Sequence, residues 1–267
     1  MDTPGADLDE LMALAVDLAR RAAAVHRAGL ERQQTYDHKT SATDLVSDVD
    51  REAERVIVEA LRAARPEDAV LAEEATEEGG TSGIRWVVDP LDGTVNYSRR
   101  YPLFAVSIGI EILGVPEVGV VLDTARDRLF VGRRGGDATR DGAPIRAPGG
   151  VDLSQAVVAT GFSYRPERRA RQAGALEGLL PRIANIRCDG SAALDLCAVA
   201  SGEVDAYFES EVAPWDVAAG RVVAEAAGVE VVVETVGLTT GVVAAAPDLL
   251  GPLMALLRQT GAWADTP

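Results

Sequence analysis

The apolar run Trp86-Val87-Val88 leads straight into Asp89-Pro90-Leu91-Asp92-Gly93-Thr94, which sets two carboxylates apart by only a proline and a leucine. Functional groups often stand where a strand ends, because a rigid sheet fixes their direction. Pro90 removes a backbone donor and stiffens the segment, and Gly93 lets a ligand approach the main chain closely. A helix beginning near Thr94 would aim free amides at an anion. Magnesium takes near-octahedral oxygen ligation, so Asp89 and Asp92 can converge on one cation or bridge two. The same letters also compose an ordinary turn.

Further acids recur along the chain. Asp44, Asp48 and Asp50 precede an apolar-periodic stretch, where capping and the helix dipole are an alternative explanation. Glu73-Glu74 follow the short run Ala69–Ala72 and read equally as a solvated pair. Trp215-Asp216 stand before a second apolar helix, where N-capping competes with chemistry. Histidine occurs only at His26 and His38, and cysteine only at Cys188 and Cys197, with no CxxC pair. A histidine triad, a multi-histidine zinc site and a disulfide framework therefore lack material. Carboxylates are the available catalytic groups.

Asp and Glu number 42 against 26 Lys and Arg, a formal net charge of −16. That field disfavours broad contact with nucleic acid, and it would repel a phosphate ester unless bound cations or arginines reverse it locally. No stretch approaches the ~20 apolar residues of a membrane span. The acidic opening MDTPGADLDELM lacks the pattern of a secretory signal, so a cytoplasmic protein is expected.

The elements that must carry these acids follow from periodicity. Leu8 to about Arg32 has helical spacing, and a second helix capped by Ser47 or Asp48 runs to Ala64 before Pro66. Strands are predicted at 86–88, 105–110, 118–122 and 129–132, with Gly114-Val115-Pro116 and Arg126-Asp127-Arg128 as turns. Residues 133–150, rich in Gly, Arg and Pro, form the candidate boundary between halves 1–146 and 147–267. Beyond it strand and helix alternate: strands at 156–160, 183–187, 204–208, 230–233 and 242–245, helices at 166–180, 192–200, 216–227 and 248–257. The result is a mixed α/β and α+β chain of stacked sheet and helix layers.

In order, Lys39, Asp44 to Asp50, Glu73-Glu74, Asp89-Pro90-Leu91-Asp92-Gly93-Thr94, Gly190-Ser191-Ala192 and Trp215-Asp216 resemble the inositol monophosphatase family over nearly the whole chain. That family lies within the lithium-sensitive, magnesium-dependent phosphatases. The resemblance implies a layered αβαβα sandwich of the sugar phosphatase type, with most metal ligands in the first half and Asp216 and the pocket in the second. It also implies a hydrolase using two to three Mg2+, usually a homodimer, acting on a small phosphorylated metabolite.

The implied roles fall as follows. Glu73, Asp89 and the Leu91 carbonyl hold a first magnesium; Asp89, Asp92 and Asp216 hold a second; Glu73 helps order a third. Thr94, hydrogen-bonded to Asp50, orients the attacking water, so that Glu73, Thr94 and Asp50 form the catalytic set. Gly93 and Thr94 amides cradle phosphate, while Gly190, Ser191 and Ala192 line the alcohol side and Glu209 accepts substrate hydroxyls. Glu73, Leu91, Asp92 and Asp216 also border the substrate. Lys39 matches the family's loop lysine in position.

Glu209 points to a polyol, and inositol 1-phosphate is the first expected substrate, with histidinol phosphate and fructose 1,6-bisphosphate as alternatives. Three features depart from the family pattern. The segment 234–241 looks trimmed, Ser163 and Tyr164 occupy a variable loop, and Asp189 adds an acid at the substrate mouth that would suit a cationic group. A regulatory partner protein retaining the fold is the alternative of a different class.

Overall fold

The computed structural model describes residues 7–32, 36–38, 45–74, 77–236 and 239–263. Lys39 and Asp44 lie outside the described residues.

Two helices cover one face of a large sheet. Helix α1 (Leu8–Leu30) starts at Asp7, whose side chain accepts the Asp9 N–H, and its buried stripe runs Leu11, Ala15, Leu18, Ala19, Ala22, Ala23, His26. Helix α2 (Asp48–Ala64) is capped by Ser47 in a reciprocal box with Asp50. A short antiparallel ribbon, β1 (Tyr36–His38) with β2 (Leu45–Ser47), leads into it.

The large sheet contains β3 (Ala69–Ala72), β4 (Glu77–Glu78), β5 (Ile84–Asp92), β6 (Ala105–Ile112), β7 (Val115–Asp123), β8 (Arg128–Arg133), β9 (Ala138–Arg140) and β10 (Ala143–Ile145). Its order is β10-β9-β8-β7-β6-β5-β3-β4, and only the β3–β5 pair is parallel. Trp86, Val88, Val106, Ile108, Ile110, Val118 and Val120 pack beneath α1 and α2. Burial on both faces explains why these strands read as continuous apolar runs. Two details depart from the spacing. Residues 133–150 carry β9 and β10, and Val115 and Pro116 open β7 rather than close a turn. Pro116 is accommodated at a register shift opposite Glu111.

The second sheet has order β12-β11-β13-β15-β14, from β11 (Val157–Thr160), β12 (Asn185–Arg187), β13 (Ala206–Ser210), β14 (Glu230–Val236) and β15 (Thr239–Ala245). Strands β11, β12 and β13 are parallel, and β15 is antiparallel to β13 and β14. Between the sheets lie α5 (Ala192–Ala200) and α6 (Pro214–Ala226). Their Ala193, Leu196, Cys197, Ala219 and Val223 share one core with Ala105, Val121 and Phe130 on one side and Tyr207, Val242 and Ala244 on the other. Gly119 of β7 permits this closeness, since a Cβ there would fall 2.2 Å from the Ala219 carbonyl oxygen. Helices α4 (Pro166–Leu179) and α7 (Pro247–Thr260) close the far face through Leu179, Leu249, Leu253 and Leu257. The layers thus run αβαβα. A five-residue helix, α3 (Thr94–Ser98), follows β5 directly.

Candidate active site

The site begins with a break in strand pairing. Asp89 pairs with Ser107 and Asp92 with Ala105, so β5 spends one residue more than β6 between these rungs. Side chains three positions apart in a regular strand face opposite ways. One bulged residue restores the parity and turns both carboxylates to the same side. Pro90 and Leu91 form the bulge, where a missing N–H forfeits no ladder bond. The Leu91 N–H donates to Asp89 Oδ1 at 3.0 Å, and the Pro90 carbonyl oxygen lies 2.9 Å from His26 Nε2.

Other elements deliver further acids to this rung. Ala72 of β3 stands opposite Val88, and the Glu73 N–H continues the ladder to the Val88 carbonyl at 3.2 Å, which sets Glu73 beside Asp89. Glu54 on α2 accepts the Glu74 N–H at 2.7 Å and fixes the same loop. Ser107, opposite Asp89, donates its hydroxyl to the Trp215 carbonyl at 3.3 Å, which ties the start of α6 and Asp216 to the site. Asp216 also accepts the Ala213 N–H at 2.7 Å, so its capping role and its site position coexist.

Burial, then Glu73, Asp92 and Asp216, raise the Asp89 carboxyl well above the usual carboxylate range. Burial and then Glu73 do the same to Asp216. Asp92 is pushed up to about 6 by burial, against hydrogen bonds from Ser191 and Ala193. Unmatched buried carboxylates cost free energy that a cation offsets. Among the described residues, no three acid, histidine or cysteine side chains are already drawn together as a metal-holding group. The acids perturb one another's protonation without converging on one point. The donor chemistry fits magnesium: Glu73, Asp89, Asp92, Asp216 and the Leu91 carbonyl are all hard oxygens, whereas zinc favours thiolate and imidazole.

Thr94 Oγ1 lies 2.7 Å from Asp50 Oδ1 and 3.1 Å from the Leu91 carbonyl oxygen. Its single proton goes to the nearer, charged acceptor, which leaves lone pairs on both Thr94 and Leu91 available. Asp50 Oδ2 meanwhile accepts the Ser47 N–H at 3.0 Å and the Ser47 hydroxyl. Asp50 is therefore both a helix cap and the partner of Thr94. Burial raises its pKa, and the Ser47 and Thr94 bonds oppose that.

The opposite wall comes from the second half. Ser191 caps α5 by accepting the Leu194 N–H at 3.3 Å, and its hydroxyl donates to Asp92 Oδ2 at 2.6 Å. The Ala193 N–H joins that oxygen at 2.9 Å, and the Ala192 amide also bonds Asp92. Asn96 Nδ2 donates to the Leu103 carbonyl at 2.8 Å and the Asp189 carbonyl at 2.7 Å, which latches α3 to the 189–191 turn. Gly93 has φ 91°, and a Cβ there would approach the Leu103 oxygen at 2.9 Å and the Gly190 oxygen at 3.3 Å. Glu209 Oε2 accepts from the Tyr207 hydroxyl at 2.8 Å, and burial lifts its carboxyl to about 7. Gly161 leaves room for it, since a Cβ would sit 2.0 Å from Oε2. Nearby, Ser163 donates to Glu211 Oε2 at 2.8 Å, and Arg168 pairs with Glu211 at 2.7 Å.

Among the described residues, Glu73, Asp89, Asp92 and Asp216 act on one another electrostatically, Ser191 and Glu209 adjoin Asp92, and Thr94 joins Asp50 to the Leu91 carbonyl. Sequence reasoning assigned no role to His26, Glu54, Asn96 or Tyr207. The available signal for His26 was a polar residue on an otherwise apolar helix stripe; Asn96 acts on backbone carbonyls and leaves no periodic trace.

The sequence model of the inositol monophosphatase family matches residues 7–261. "Nus factor SuhB" of Pasteurella multocida is 39% identical over 224 residues, 83% of this chain and 84% of that protein. "Inositol-1-monophosphatase" of Mycobacterium bovis is 37% identical over 281 aligned positions, 97% of each chain. The crystal structure of extragenic suppressor protein SuhB from Bartonella henselae superposes with a TM-score of 0.87 at 32% identity, covering 93% of this chain and 98% of that one. The chain belongs to the inositol monophosphatase family and is a phosphatase of that metal-dependent family.

Proposed function

We propose that this member of the inositol monophosphatase family hydrolyses a small phosphate monoester, inositol 1-phosphate first among candidates, with two to three Mg2+ ions. Glu73, Asp89 and the Leu91 carbonyl would hold one ion, and Asp89, Asp92 and Asp216 a second, with Glu73 serving a third. The β5 bulge carries this reading, because it turns Asp89 and Asp92 together toward acids from β3's loop and α6. When bound, the cations supply charge neutralisation at phosphate and activation of water.

The chain's own groups do the rest. Thr94, its proton committed to Asp50, accepts a hydrogen bond from the attacking water and aims it at phosphorus. As that water loses its proton to Thr94 Oγ1, Thr94 passes its own to Asp50, whose raised pKa suits it to receive one. The Gly93 and Thr94 amides cradle phosphate oxygens, since Gly93 supplies no capping side chain to occupy them. Gly190, Ser191 and Ala192 line the alcohol, and Glu209 accepts its hydroxyls. Residues 1–146 act as the ligand-bearing half and residues 147–267 as the half giving Asp216 and the pocket. The chain works as a cytoplasmic homodimer.

Phosphate release with Mg2+ from inositol 1-phosphate, histidinol phosphate, fructose 1,6-bisphosphate and 3′-phosphoadenosine 5′-phosphate tests the substrate. A hundredfold preference in kcat/KM for the inositol ester, about 2.7 kcal/mol, is expected. A hundredfold preference for histidinol phosphate would overturn the polyol assignment and turn attention to Asp189. A second reading, a regulatory role for the same fold, rests on the name Nus factor SuhB borne by relatives. An inactive Asp89→Asn variant that still fulfils the protein's cellular role would favour it.

A further inference from the structure

The bulge that gathers Asp89 and Asp92 creates a liability of its own. Pro90 and Leu91 stand outside the β5–β6 register, so the Pro90 carbonyl has no cross-strand partner there. A buried carbonyl left unpaired is destabilising. His26, projecting from α1, answers it. Its Nε2 lies 2.9 Å from the Pro90 oxygen, and its Nδ1 lies 3.1 Å from Thr124 Oγ1.

The two contacts select a single tautomer. A carbonyl only accepts, so Nε2 carries the hydrogen; Nδ1 is then an acceptor and takes the Thr124 hydroxyl proton. The ring is 0% exposed and packs against Tyr97 and Phe104, with centroids at 6.0 Å and 6.1 Å. The Tyr97 hydroxyl donates to the His26 backbone carbonyl at 2.8 Å, which ties α1 to α3 at the same residue. Thr124 is fixed in turn, its N–H bonding the Phe104 carbonyl at 3.1 Å. Imidazole, hydroxyl and two aromatic rings thus hold one peptide unit, the one joining the two carboxylates.

We propose that His26 is a positioning residue: through the Pro90 carbonyl it holds the bulge in the shape that lets Asp89 and Asp92 bind cations together. The inference rests on the reading of these acids as a magnesium site. The His26 ring bonds the Pro90 carbonyl and Thr124 and none of the candidate ligand carboxylates. Its effect is on the angle between two carboxylates, as with groups behind metal ligands whose loss costs 10–100-fold in affinity or activity.

The test is calorimetric Mg2+ titration of the full chain and four variants, each with its metal-free Tm. Glutamine matches Nε2 in reach and can still donate to Pro90, whereas asparagine matches Nδ1 and leucine keeps only bulk. His26→Leu and His26→Asn are expected to weaken Mg2+ binding by about 10–100-fold, and His26→Gln to recover most of that loss. Thr124→Val, which frees the ring tautomer, should weaken it less. In phosphate release the loss should appear in the Mg2+ requirement and kcat, with KM for the ester nearly constant. Mg2+ affinity that merely follows Tm across the series, with no advantage of Gln over Asn, would overturn the proposal and leave His26 a core residue. Should His26→Leu fail to fold, the Gln–Asn pair and Thr124→Val decide it. No Mg2+ binding by the unmodified protein would sink the metal-site reading itself, a different failure.

Discussion

The two ends of the proposed site are built on different plans. At the proposed phosphate end, the candidate metal ligands are each fixed at least in part by the main chain: Asp89 by a strand rung, Glu73 by the extension of β3, Asp216 by a helix start, and Asp92 by the Ala193 N–H beside the Ser191 hydroxyl. At the alcohol end, Glu209 has a hydroxyl donor, Tyr207, on its own strand, and its neighbours are joined by side chains such as Ser163, Glu211 and Arg168. Glu211 even adopts φ 72°, a conformation costly for a residue with a Cβ. The difference teaches a division of labour. Under the proposed function, chemistry shared by many esters would be fixed largely by the backbone, while recognition of one alcohol would rest on side chains.

The sharpest way to break this contrast is at the bulge. Asp89→Asn should lower kcat by about a thousandfold or more, roughly 4 kcal/mol of barrier. Its metal-free Tm should rise, because a carboxyl that burial, Glu73, Asp92 and Asp216 make costly to ionise is replaced by a neutral amide. Near-normal turnover would dissolve the distinction between the ends. Asn96→Ala tests the seam between them. It strands the Leu103 and Asp189 carbonyls, so thermal denaturation should report a loss of about 1–3 kcal/mol together with a lower kcat/KM. An unchanged Tm would mean that the latch is dispensable.

Milder effects belong to the alcohol end. Glu209→Ala should raise KM for inositol 1-phosphate about tenfold, near 1.4 kcal/mol, and leave an aryl phosphate almost unaffected. Equal shifts for both esters would show that Glu209 does not read the alcohol. The smallest signal is a pair of opposed pH slopes in metal-free buffer. Glu209 titrates near 7 when folded against an ordinary 4.5, so its stabilising contribution is present below about 4.5 and is lost as pH rises through 7. His26 sits near 4 against 6.5, so its contribution is present above about 6.5 and is lost as pH falls through 4. Tm of the wild type relative to Glu209→Gln should therefore fall with rising pH, and relative to His26→Gln it should rise; a slope of the opposite sign would refute the corresponding environment.

The same division governs what could be read from the letters. The strand end and helix start around the candidate acids were legible because they are contiguous in Trp86 to Tyr97, and the cap at Ser47 is local, whereas the bulge and the part of Asp50 in the capping box appear only in the fold. Even the Thr94–Asp50 bond was expected, although on a family resemblance rather than on spacing. Helix α5 matches its expected bounds, since Ser191 and a compact apolar run define it. Strands β9 and β10 were missed because three-residue strands in Gly- and Arg-rich sequence carry no period, and their place in the sheet, β10 on β9 and β9 on β8, is set by tertiary pairing. His26 and Asn96 were missed for a related reason. Their partners, Pro90 and Asp189, are far along the chain and accept through the backbone, which has the same chemistry in every residue.

The carboxylates gathered at the β5 bulge form the proposed magnesium-dependent phosphatase centre. The most direct test is phosphate release from inositol 1-phosphate by the metal-stripped protein as Mg2+ is restored in steps, with excess EDTA as the zero point. Release that is negligible in EDTA and saturates with Mg2+, and that Asp89→Asn abolishes at every Mg2+ level, is the predicted result. Full release in EDTA would contradict it.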